Sequence, residues 1–129
     1  MRVSHLIERT DALFPNVFPF PMKVRWLFAL DKKISSEFLS LYGEEAELSD
    51  ADEGNADREL LLDEELSEVY ISYLTMKMEL HSGNITGYVN AASLYNSAYL
   101  SFMHPANNAS IAINEIILFM ILILKKISR

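Results

Sequence analysis

The 129-residue chain contains no cysteine, so disulfides, thiolate metal sites and cysteine nucleophiles are all excluded. Histidine is scarce. His5, His81 and His104 fall in separate segments, and none belongs to a helical metal motif such as HExxH. With only four glycines, the chain has no phosphate-cradling loop. An enzyme is therefore the least supported class, and no metal or organic cofactor is expected. The first residues lack the apolar run of a secretory leader, because Arg2, His5, Glu8 and Arg9 interrupt them. Synthesis in the cytosol is expected, and the sequons Asn84-Ile85-Thr86 and Asn108-Ala109-Ser110 carry little weight without a secretory route.

What is present is 50% hydrophobic, enough for one domain with a real core and too short for two. The net charge of −7 is unevenly spread. From Glu44 to Glu68, twelve acidic residues face the single basic Arg58, a local balance of −11 that leaves +4 elsewhere. Such a block reads as a solvated loop or helix face held open by self-repulsion. It argues against duplex nucleic acid as a partner, and no sequence-specific nucleic-acid binding is expected. Within it, Asp50-Ala51-Asp52-Glu53-Gly54-Asn55 resembles a calcium loop only superficially. The sixth and twelfth positions hold Asn55 and Leu61 where glycine and a bidentate glutamate are needed.

Helical periodicity dominates the rest. Ser4 is a plausible cap for a short helix through Leu6, Ile7, Thr10, Leu13 and Phe14, ending at Pro15. Three prolines between Pro15 and Pro21 make an extended connector, its phenylalanines pinning it to a core. Pro21 suits the first turn of a second helix, in which Val24, Leu27, Leu30, Ile34, Phe38 and Leu41 mark one face up to about Tyr42, with Gly43 as the stop. Lys23, Arg25, Lys32 and Lys33 lie along it. Trp26, the only tryptophan, sits off the centre of the stripe as core edge or interface anchor.

Two further arms fold back at Ser82-Gly83-Asn84. Leu66, Val69, Tyr70, Tyr73, Leu74 and Leu80 line the first, and Ile85, Tyr88, Ala92, Tyr95, Tyr99 and Phe102 the second. The expected fold is all-α, a bundle of about four to five helices with a tyrosine-rich antiparallel hairpin and an acidic loop. Residues 1–110 read as the helical domain and 111–129 as an atypical hydrophobic tail. From Ile111 to Leu124 the tail is broken only by Asn114 and Glu115. Its fourteen residues would rise about 21 Å as a helix, short of the ~30 Å hydrocarbon slab, so a simple membrane span is disfavoured. Left exposed, it would be an aggregation hazard.

Pro15-Asn16-Val17-Phe18, Lys23-Val24-Arg25-Trp26-Leu27 and Leu30-Asp31 resemble a signature found in small structural proteins of tailed phages and prophages of Gram-positive bacteria. That signature reads Pro-Asn-x-aromatic, Lys-x-x-Trp-Leu, Leu-Asp. The later Glu68-Val69-Tyr70-Ile71-Ser72-Tyr73-Leu74, His81-Ser82-Gly83 and Tyr95-Asn96-Ser97-Ala98-Tyr99 resemble the same family's second half. The match spans about residues 4–104. It implies a head–tail connector (adaptor) subunit that docks on the portal and other neck proteins and repeats as a homo-oligomeric ring. The location implied is the virion neck, with the host cytoplasm during assembly.

Interface candidates on this reading are Lys23, Trp26, Lys32, Lys33, Tyr70, Tyr73, Tyr95 and Tyr99. The basic second helix and the acidic Glu44–Glu68 stretch would supply unlike lateral faces, and reversing Lys32 and Lys33 to Glu is expected to impair assembly without unfolding. Two departures stand out. Phe18-Pro19-Phe20-Pro21-Met22 replaces the family's Ser or Thr cap and acidic first turn, and Ile116 to Leu124 replaces its polar aromatic tail, as in a frameshifted or degenerate copy. The alternative reading is a small membrane-associated or regulatory helical protein that uses the hydrophobic tail.

Overall fold

The computed structural model describes residues 1–42 and 58–103, with side chains for 1–37 and 58–103. Helix α1 (Val3–Leu13) buries Val3, Leu6, Ile7 and Thr10, a three- and four-residue spacing. Ser4 is not its cap. The helix starts at Val3, and the cap position, Arg2, makes no side-chain bond. Instead the Val3 N–H donates to the Arg58 carbonyl at 3.0 Å, while the Leu60 N–H donates to the Met1 carbonyl at 2.9 Å. This short antiparallel pairing of Arg2 with Glu59 satisfies an opening amide that a capping serine would otherwise serve. Leu13 stays largely exposed at the end of the helix, beyond the buried stripe.

Helix α2 (Phe20–Tyr42) ends where its spacing predicts. The Pro19 carbonyl accepts from the amides of Met22 and Lys23, which places Pro21 in the first turn as expected. Val24, Leu27, Leu30 and Ile34 are buried, and so is Phe28. Lys23, Asp31 and Ser35 are buried beside them, an outcome the apolar spacing does not reveal.

The chain re-enters at Arg58 and sends Leu60, Leu61 and Leu62 fully into the core. The second part of the acidic stretch is thus no solvated loop. Its acids Asp63, Glu64 and Glu65 point to water while the three leucines anchor it. The stop at Gly43, the acids up to Asp57, the calcium-loop look-alike and the tail 111–129 lie outside the described residues.

A 3-10 turn (Glu64–Leu66) leads into α3 (Ser67–Ser82), followed by α4 (Ile85–Met103). Helix α3 is central, packing on α1 and α2 and, most extensively, on α4. That position explains why its buried residues, among them Val69, Tyr70, Ser72, Leu74, Met78 and Glu79, are not confined to one stripe.

The hairpin closes as its Ser-Gly-Asn break predicts. Gly83 takes φ +78°, a left-handed geometry suited to glycine. Its N–H reaches the Leu80 carbonyl, the Asn84 N–H reaches the Glu79 carbonyl, and the Asn84 side chain accepts from the Gly87 N–H to start α4. Along α4, Ala91, Tyr95, Tyr99 and Met103 are buried at four-residue intervals. One turn before Ala91 stands Gly87, where a Cβ would fall on the Glu79 carboxylate. Small residues therefore hold the helices close near the turn, and tyrosines fill the gap further on. Leu80 and Ile85, expected on the facing stripes, are exposed on either side of the turn. Among the described residues the fold is an all-α bundle of four α-helices.

Candidate functional site

Three polar and aromatic clusters organise the residues that the motifs single out. In the first, Lys23 is only 4% exposed. Its ammonium donates to both Asp11 oxygens, at 2.9 and 2.8 Å, and to Asn16 Oδ1 at 3.2 Å. Asn16 in turn donates to Asp11 Oδ1 and the Phe14 carbonyl and accepts from the Phe18 N–H. The Pro-Asn-x-aromatic connector and the lysine of α2 are thus one knot that sets the turn between α1 and α2. A buried ammonium with its donors this well matched is held by structure.

The second cluster lies at the heart of the bundle. Asp31, fully buried, accepts from the Tyr70 hydroxyl at 2.6 Å and from the Leu61 N–H at 3.2 Å. Tyr70, also fully buried, accepts from the Leu62 N–H at 2.9 Å. Arg58 brings its guanidinium to 3.6 Å from Asp31 and lies over the Phe28 ring at 4.5 Å. Burial, reinforced by the Asp31 charge and hydrogen bond, holds the Tyr70 hydroxyl well above the usual tyrosine range. The pair joins α2, α3 and the Leu60–Leu62 segment, and serves backbone amides that no apolar side chain could satisfy.

The third cluster is a tyrosine ladder between α4, α3 and α2. Tyr73 and Tyr95 lie 5.2 Å apart, and Tyr95 and Tyr99 5.6 Å apart, in tilted geometry. Lys33 sits over Tyr99 at 5.0 Å and Tyr95 at 5.8 Å, and Lys77 over Tyr73 at 5.6 Å. The Tyr99 hydroxyl donates to Glu37. Burial raises Tyr73, Tyr95 and Tyr99 alike. Tyr95 is pushed up to about 12 by burial, with Tyr73 and Glu37 adding to it, and the hydrogen bond to Glu37 adds to the rise at Tyr99.

Trp26 is half-buried, stacked on His81 at 5.2 Å and tilted against Phe18 at 5.8 Å. It therefore joins the connector to the end of α3. Of the eight interface candidates, Lys23 and Tyr70 are correspondingly withdrawn from the surface, their polar atoms held inside the subunit. Tyr95 and Tyr99 are largely covered, Tyr73 and Trp26 half-covered, and Lys32 and Lys33 exposed. The structure does not gather the eight into one patch.

Asp11, Asp31, Glu37 and Arg58 are organising residues that sequence reasoning passed over. Two signals were available: Asp31 interrupts the apolar face between Leu27 and Ile34, and Arg58 is the one cation in the acidic block. Among the described residues there is no group of three or more acidic or histidine side chains able to hold a metal. Nor is any described helix long and apolar enough to cross a membrane. No family model, curated protein or solved structure matches the chain.

Proposed function

We propose that this chain is a non-enzymatic structural protein of a tailed-phage or prophage virion, a head–tail connector subunit that docks on a portal and assembles into a ring. The observation that supports it most is the mutual contact of the two halves of the phage-like motif set. Asp31, from the first half, holds Tyr70 from the second at 2.6 Å, and Trp26 stacks on His81 at 5.2 Å. Residues quoted from distant parts of the chain thus form one framework, as expected if the resemblance tracks a shared fold. A rigid helical subunit also suits a heterologous contact that must close by rotation.

The test is reconstitution. The purified chain is mixed with the portal protein encoded in the same genome and examined by mass photometry and negative-stain electron microscopy. The expected result is a discrete ring of subunits on the portal. A chain that stays monomeric and leaves the portal undecorated at 10 µM would overturn the proposal. Lys32→Glu is read as a single variant. Lys33 covers the Tyr95 and Tyr99 rings, so its reversal perturbs the fold as well.

A further inference from the structure

The tyrosine ladder has a chemistry that its packing does not call on. A phenol gives up an electron readily only when its proton leaves too, so the group that takes the proton decides which tyrosine is oxidised. Each ring of the ladder lies beneath a lysine. Lys77 stands over Tyr73 at 5.6 Å, and Lys33 over Tyr95 at 5.8 Å and over Tyr99 at 5.0 Å. A cation this close favours the neutral ring and opposes a second positive charge within it. An electron that left alone, stranding a positive phenol, is therefore penalised at all three rings.

The three phenols differ in where the proton can go. Tyr99 donates to the Glu37 carboxylate, an acceptor already in place on α2. Glu37 is exposed, so a proton that it receives can pass on to water. The Tyr95 hydroxyl is buried and has no hydrogen-bond partner, which leaves its proton no route out. Among the described residues no side chain accepts from the half-buried Tyr73, which has only water, a far weaker base than a carboxylate. Tyr95 nevertheless bridges the other two, its ring 5.2 Å from Tyr73 and 5.6 Å from Tyr99, close enough for an electron to cross. The rings thus run from a half-exposed entrance at Tyr73 to a buried end at Tyr99, where the proton has its acceptor. Tyr70 also donates to a carboxylate, but Asp31 is fully buried and committed to the Leu61 N–H and to Arg58. A proton placed on Asp31 would find no water and would leave Arg58 without its counter-charge.

We propose that Tyr99 and Glu37 form a one-electron redox site, with Tyr95 and Tyr73 relaying the electron to a small diffusing oxidant of the peroxyl-radical class. The Tyr99 O–H bond breaks, its proton goes to the Glu37 carboxylate, and its electron passes through the two rings to the peroxyl radical. The peroxyl radical takes that electron and one proton from water and becomes a hydroperoxide. A neutral tyrosyl remains on Tyr99, buried and so shielded from coupling with other radicals, while Glu37 returns the proton to water. The site lets the chain absorb a one-electron oxidation, and with no cysteine in the sequence there is no thiol to take that part. The inference does not rest on the connector reading.

The test uses the full-length chain with photogenerated ruthenium(III) tris-bipyridine, an outer-sphere oxidant that forms no bond to the protein. Transient absorbance of the neutral tyrosyl and electron paramagnetic resonance of samples frozen after the flash follow the radical, and circular dichroism checks that each variant is folded. The expected result is a long-lived tyrosyl that disappears in Tyr99→Phe and persists in Tyr70→Phe and Tyr88→Phe. Glu37→Gln keeps a hydrogen-bond acceptor but removes the base. Since a positioned base speeds proton transfer by about 10²–10⁴-fold, this variant should form the radical about a hundredfold more slowly. Peroxyl radicals from a decomposing azo initiator should produce the same signal in the unaltered chain and none in Tyr99→Phe. A radical that survives Tyr99→Phe, or that forms as fast in Glu37→Gln as in the unaltered chain, would overturn the proposal. So would a signal lost in Tyr70→Phe or Tyr88→Phe instead, and a signal seen with ruthenium but not with peroxyl radicals would overturn the assigned oxidant.

Discussion

Replacing Asp31 by Asn leaves size and shape almost unchanged and removes one charge from the centre of the bundle. The side-chain amide can still accept from the Leu61 N–H, but the charge-assisted bond from Tyr70, at 2.6 Å, is lost. Such a bond contributes about 1.5–3 kcal/mol. Arg58, only 14% exposed, also loses its counter-charge at 3.6 Å, and breaking one side of a buried pair costs about 3–5 kcal/mol. The second effect overlaps the first, so the expected loss is about 3–4 kcal/mol, out of ~5–15 kcal/mol for a typical domain. Urea unfolding followed by the fluorescence of Trp26 and by circular dichroism would measure it. Tyr70→Phe alone should cost about 2 kcal/mol, since it leaves the Leu62 amide without its acceptor. The double variant should cost less than the sum by 1 kcal/mol or more, because the two residues share one hydrogen bond. A further variant separates polarity from backbone service. Asp31→Leu, Tyr70→Phe and Arg58→Met together remove every charge, which in many proteins is nearly neutral. Here it should remain destabilising by about 2–4 kcal/mol, because the Leu61 amide loses the Asp31 carboxylate and the Leu62 amide loses the Tyr70 hydroxyl. An Asp31→Asn cost below 1 kcal/mol, or strict additivity with Tyr70→Phe, would refute this account of the core.

Lys23→Met should lower stability by about 2 kcal/mol and loosen the connector, read as faster proteolysis between Phe14 and Phe20; unchanged stability would show that the Asp11–Asn16 knot is dispensable. The buried tyrosines give an alkaline dependence. Their folded-state values lie above the unfolded value near 10, so their contribution is complete below about pH 10 and is lost as pH rises toward the folded values. Tyr70→Phe should reduce the slope of stability against pH, measured by urea midpoints between pH 9 and 11.5, by up to about 1.4 kcal/mol per pH unit; an unchanged slope would contradict it. Gly83→Ala should cost about 1 kcal/mol because of its left-handed backbone. Gly87→Ala should be neutral or mildly destabilising with Glu79 present and stabilising by about 1 kcal/mol in a Glu79→Ala background, a sign change visible in thermal melts.

Much of the helical framework was legible because its signals are local. The Ser82-Gly83-Asn84 break needs only a glycine at positive φ, and α2 needs only its repeated apolar spacing and a proline in its first turn. What escaped depended on partners far along the chain. Ser4 lost its capping role to Arg58, and Leu60–Leu62 were hidden by the acids around them although each is fully buried. Lys23 and Asp31 fall on the apolar face of a helix wheel, but what holds a charge there stays hidden until Asp11, Asn16 and Tyr70 are placed beside them. Leu80 and Ile85 fit an ideal stripe but fall outside the contact at the hairpin's turn, where Gly87 lets the backbones approach.

The Asp31–Tyr70 contact also fixes an order of events during synthesis. Asp31 leaves the ribosome 39 residues ahead of the hydroxyl that it will hold. Until then α2 carries, in the middle of its apolar side, a carboxylate that still lacks the Tyr70 hydroxyl, which keeps that side hydrated and opposes premature collapse onto α1. The Lys23–Asp11 knot, spanning only twelve residues, can close early, whereas the bundle cannot seal until α3 has emerged. A nascent chain stalled before Tyr70 would therefore hold a formed α1–α2 turn beside an open, wet core.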